Sequence, residues 1–97
     1  MSAEEDDMVN RDEILSIAGE LIGGDRQATY GDAREMHQSI ADLWSAYAGV
    51  ELTAVDVAAM MVLMKLARAK KGSRKHTDNW IDICGYAALA GEMEGMD

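Results

Sequence analysis

Four times along this chain a helix-capping side chain is followed by an apolar stretch and then by glycine or a basic end, and no proline interrupts the pattern. That punctuation constrains the fold more than any single motif, because each cap satisfies backbone amides that only a helix start leaves open. Asn10, with Glu13 three residues on, opens the first segment, in which Ile14, Ile17, Ala18, Leu21 and Ile22 keep helical spacing up to Gly23-Gly24. Gly31-Asp32, with Glu35, opens the second, whose apolar face reads Met36, Ile40, Leu43, Trp44 and Tyr47 before Gly49. Thr53 and Asp56 open the third, which carries eight consecutive apolar residues from Val57 to Met64 and runs to about Lys71-Gly72. Thr77 caps the fourth, from Trp80 to Leu89, with Gly91 as its stop.

The chain is therefore expected to be all-α, a compact four-helix domain over residues 10–97 behind a disordered acidic tail at 1–9. With 97 residues there is apolar area for one core only. Trp44, with Ile40 and Tyr47, is the expected core anchor of the second helix. The eight-residue run should make the third helix central and wet on little of its circumference. Helices three and four carry more apolar surface than one four-helix monomer buries, and Gly85, Ala88 and Gly91 leave a strip for close packing, so a helical homo-oligomer is expected.

Charge limits the partners. Eighteen acidic residues against nine basic give a net charge of -9, which disfavours duplex nucleic acid. Six of those nine cations, Lys65, Arg68, Lys70, Lys71, Arg74 and Lys75, fall within eleven residues, either as a solvated helix end or as a site for a phosphate-bearing ligand. The longest apolar run is far short of the roughly 20 residues that a bilayer span requires, so no membrane association is expected. A single cysteine, Cys84, and an acidic N-terminus without a signal-peptide pattern point to a reducing, cytoplasmic compartment.

Several residues could carry chemistry. Asp78 and Asp82, at i and i+4, place two carboxylates one turn apart, enough to share Mg²⁺ with substrate phosphates; alternatively they complement the helix dipole and pair with a neighbouring cation. Asp32 and Glu35 could form an opposite wall, although the same spacing serves as a capping box. Lys65 and Arg68 share a face and suit phosphate, or lock one of the aspartates in place. Arg26 and Tyr30, between flanking glycines, suit an anion and a ring, and Trp80 could line the same ligand. His37 and His76 lack zinc-site spacing and are expected at the surface or an interface.

These residues resemble a small phage and prophage family of all-α proteins. Its pattern appears here as Arg26 with Tyr30-Gly31, Ile40-Ala41 with Leu43-Trp44, Met60-Met61 with Lys65 and Ala67-Arg68, and Asp78-Asn79-Trp80 with Asp82-Ile83 and Gly85-Tyr86-Ala87-Ala88. More loosely, the chain resembles the MazG-like all-α nucleotide pyrophosphohydrolases, with Asp32 and Glu35 in place of their first acidic element and Asp78 and Asp82 in place of the second. Asn79 stands where the second element carries glutamate.

That likeness implies a Mg²⁺-dependent nucleoside triphosphate pyrophosphohydrolase. Glu35, Asp78 and Asp82 would be the metal ligands, Glu35 and Asp82 the catalytic carboxylates, and Arg26, Tyr30, Lys65, Arg68 and Trp80 the nucleotide contacts. Two alternatives stay open: a helical oligomer that captures a nucleotide or nucleotide-derived small molecule without turnover, and a structural interaction protein whose charges form only an ion-pair network.

Overall fold

The computed structural model describes residues 9–23, 32–72 and 77–96, and these form four helices with no strand among them. They are α1 (Arg11–Gly23), α2 (Ala33–Ala48), α3 (Ala54–Lys71) and α4 (Thr77–Met96). Residues 1–8 of the expected tail, and Arg26, Tyr30, Arg74, Lys75 and His76, lie outside the described residues.

The caps of the first three helices hold backbone amides, that of α2 one residue short of the Asp32–Glu35 spacing, while Thr77 is the first residue within α4. The Asn10 side chain accepts from the Glu13 amide at 2.9 Å, and that of Asp32 accepts from the Arg34 amide at 3.0 Å. At α3 the capping box is complete: Thr53 accepts from the Asp56 amide at 3.1 Å while Asp56 accepts from the Thr53 amide at 2.9 Å. Gly49 ends α2 with φ +75°, a left-handed conformation costly for any residue with a Cβ, and its amide donates to the Ser45 carbonyl. The Ser45 hydroxyl then holds the connection to α3, accepting from the Leu52 amide at 2.8 Å. The fourth helix is longer than expected. It begins at Thr77 and continues through Gly91 to Met96.

Helix α4 packs chiefly on α3 and next on α1, while α2 lies mainly on α3 and barely meets α4. The buried apolar set is small in volume: Ala18, Ala41, Ala54, Val57, Ala58, Ala69, Ile81 and Met93. Five of these eight are alanine, so the helices meet by close backbone approach more than by interdigitated large side chains. Ala54, Ala58 and Met93, backed by Val55, Leu89 and Ala90, form the central cluster between α3 and α4.

Two expectations about helix faces are corrected. On α2 the buried stripe is His37 and Ala41, with Trp44 half-buried, whereas Leu43 is exposed and Tyr47 is 95% exposed. Tyr47 is therefore no core partner of Trp44. The stripe is turned because α2 has one main neighbour, α3, and alanine allows the closer approach. On α3, Met60, Leu63, Met64 and Leu66 are all exposed, so the apolar run is covered on one side only.

The small-residue strip of α4 is used within the chain at Gly85. A Cβ there would sit 3.2 Å from Cγ2 of Ile22 on α1, while one at Gly91 would meet nothing within 4 Å. Gly85→Leu is therefore expected to detach α1 and destabilise the fold by about 1–3 kcal/mol. Gly91→Ala should stabilise it by about 0.5–1 kcal/mol through helix propensity alone. Urea denaturation of the two variants checks this, and equal effects at both positions would remove the assigned contact with Ile22.

Candidate functional site

The antiparallel course of α3 and α4 brings Lys65 to Asp82. The ammonium lies 2.9 Å from the Asp82 Oδ2, with side chains 16% and 34% exposed respectively. A lysine this enclosed requires a counter-charge, and a carboxylate partly open to water supplies it at low desolvation cost. On α4, Asn79, Asp82 and Tyr86 follow at i, i+3 and i+7 and share a side of the helix. Asn79 is buried.

His37 of α2 joins this layer. It lies twelve residues before Gly49, and Lys65 lies twelve after Thr53, so the two stand at similar height in the α2–α3 hairpin. Its ring meets that of Tyr86 edge-on, with centroids 6.2 Å apart. Of the two expected placements, surface or interface, the surface is ruled out, His37 being only 6% exposed. Its Nδ1 is 2.8 Å from the Ala33 carbonyl, which can only accept, so Nδ1 carries the proton and Nε2 is left as a buried acceptor with no partner among the described residues.

The remaining candidates are more dispersed. Glu35 is exposed in the first turn of α2 and Asp78 is exposed in the first turn of α4, both placed to complement a helix dipole. Among the described residues no group of three or more histidine, cysteine or acidic side chains is assembled for a metal ion, so Glu35, Asp78 and Asp82 are not brought into one cluster. Arg68 is exposed one turn beyond Lys65. Trp80 is 42% exposed and, two residues before Asp82, points from a different side of α4. His37, Asn79 and Tyr86 were not among the expected site residues. The missed signal is the spacing of His37, Ala41 and Trp44 at i, i+4 and i+7, which marks His37 as part of the buried stripe.

The protein is thus a small all-α domain with a polar layer set between three of its helices. The chain belongs to the family described as "Domain of unknown function (DUF6378)", whose pattern it matches over residues 13–94. It is 49% identical over 82 residues to the Gene 55 protein of Mycobacterium phage L5, covering 84% of this chain and 52% of that protein. It is 46% identical over 74 residues to the Gene 55 protein of Mycobacterium phage D29, covering 76% and 48%. The chain therefore spans about half the length of these relatives. No solved structure matches it. The phage-type likeness is established by these relatives, and neither they nor the family supports the looser likeness to the MazG-like enzymes. No helix among the described residues is long and apolar enough to cross a membrane.

Asp82→Ala leaves the enclosed Lys65 ammonium without its partner, an expected cost of about 1–3 kcal/mol, below that of a fully buried pair because Asp82 reaches water. The combination Lys65→Met with Asp82→Leu should recover most of that loss. A double-mutant cycle by urea denaturation measures the coupling, and strictly additive single effects would show that the pair contributes nothing.

Proposed function

We propose that this phage protein binds a nucleotide or nucleotide-derived small molecule by its phosphates, without turning it over. The site lies where the last turn of α3 meets the first turn of α4. The carrying observation is the charge distribution: in a chain of net charge -9, Arg68, Lys70 and Lys71 occupy the last turn of α3. The adjacent N-terminal end of α4 presents backbone amides, and both features favour an anion. Arg68 supplies a forked donor to phosphate, while Lys65, held by Asp82, sets the positive edge one turn further in. Arg26, Tyr30 and Trp80 are the further ligand residues of this reading, suited to an anion or to stacking on a base.

A second reading, a Mg²⁺-dependent pyrophosphohydrolase, draws on Asp78 and Asp82 standing one turn apart with both carboxylates reaching solvent, Glu35 completing the ligand set. The engagement of Asp82 with Lys65 favours the first reading, because the cation would have to displace that lysine.

A panel of nucleoside mono-, di- and triphosphates, tested by thermal shift with EDTA and with Mg²⁺, separates the two. Capture without turnover predicts a metal-independent rise. At ligand about 100-fold above Kd the stabilisation is about 2.7 kcal/mol, on the order of 10 °C for a domain of this size. Arg68→Ala should abolish it. Pyrophosphate release that appears only with Mg²⁺ and is lost in Asp82→Asn would establish the second reading, and no shift with any nucleotide would overturn both.

A further inference from the structure

The uncovered side of α3 is self-complementary. Asp56, Leu63 and Lys70 follow at intervals of seven and so fall on one stripe of the helix. Leu63 is 63% exposed and stands at the middle of Ala54–Lys71, with the acid near one end and the lysine near the other. Between them the stripe is matched about its centre: Ala59 and Met60 on one side of Leu63, Leu66 and Ala67 on the other, all exposed. A helix with this pattern, laid antiparallel on a copy of itself, sets Leu63 against Leu63. It sets Met60 against Leu66, and Asp56 of each chain against Lys70 of the other.

We infer that this face is where two copies of the chain associate, about a two-fold axis passing near Leu63. Three observations favour a second copy over another partner. An isologous contact requires each chain to carry both halves of every pair, and this stripe does so. Asp56 uses one carboxylate oxygen in its cap, to the Thr53 amide, and Lys70 is exposed, so the cross-chain pairs need no rearrangement of the caps. The stripe also continues into a groove of about 260 Å³ lined by Trp44, Tyr47, Ala48, Leu52 and Met60, with Leu43 exposed one turn before Tyr47. Leu43, Tyr47, Met60, Leu63, Met64 and Leu66 are all exposed apolar side chains, Leu43, Tyr47 and Leu63 by more than half, which is the material an apolar interface core requires. Antiparallel α3 helices also oppose their dipoles favourably.

Sedimentation at micromolar concentration should find the wild-type chain at twice its 10.6 kDa mass. Leu63→Glu should sediment as a monomer with unchanged helical circular dichroism. The orientation is read in a Cys84→Ser background, where Leu63→Cys should oxidise to a disulfide-linked dimer and Lys70→Cys should not, since only residues on the axis bring their own copies within disulfide reach. A monomeric wild type, an assembly that survives Leu63→Glu, or cross-linking through Lys70→Cys in place of Leu63→Cys would each overturn the inference. None of these readouts involves a nucleotide, so the result stands apart from that of ligand binding.

Discussion

The contact between α3 and α4 is made largely of alanine, and the rest of the molecule follows from that. Ala54 and Ala58 let α4 come close enough for Met93 to be enclosed, and Val57 is buried beside them. Close approach of two helices maximises dispersion contact per residue but offers little apolar volume. What remains of the larger side chains, the leucines and methionines of α3 and the aromatic end of α2, is therefore left outside. The small core and the uncovered face are two sides of one choice of residue size.

The same closeness explains the polar layer. Where α3 carries lysine instead of alanine at the inner position, its long side chain reaches along the helix pair to the carboxylate of Asp82, and the pair is only partly withdrawn from water. His37 and Asn79 are buried too, His37 against Tyr86 one turn beyond Asp82 and Asn79 one turn before it. An enclosed histidine acceptor without a partner is unfavourable by about 1–3 kcal/mol. In a domain of 97 residues that is a large share of the stability to be expected. The layer fixes which helix faces can meet, since an alternative packing would leave Lys65 or Asp82 without its counter-charge.

Helix existence and helix starts were legible because capping is local: Asn10, Asp32 and the Thr53–Asp56 box each report a backbone requirement settled within four residues. Helix faces were less so. Hydrophobicity favoured Leu43 and Tyr47 as inward positions on α2, but among the described residues no helix covers them, and Ala41 with His37 took the inward place. The stop at Gly91 failed for a related reason: glycine permits a helix end, left-handed at Gly49 and extended at Gly72, but does not impose one, and at Gly91 it is carried through. At the candidate site, the pairing of a cation on α3 with an acid on α4 was among the alternatives that spacing left open. The choice of Lys65 and Asp82 depends on the register between two helices, which no local signal encodes.

That register also divides the cation cluster, which reads in sequence as one basic patch. At about 100° per residue, Lys65 and Lys70 lie roughly 140° apart around α3. Lys65 turns inward to Asp82, whereas Lys70 lies on the outer stripe with Leu63. Arg68 lies about 60° from Lys65, on the side away from Lys70. Positive charge in a chain this acidic thus has two distinct uses on one helix. A phosphate at the α3–α4 end would be contacted by Arg68 with Lys65 behind it, and an acid of a second copy would engage Lys70, so that the two uses share only the longer-range charge of that lysine. Net charge and this separation are compatible for a simple electrostatic reason. Screening at physiological salt reduces repulsion beyond about 8 Å, so the overall charge of -9 weighs less on a close contact than the few charges placed directly across it.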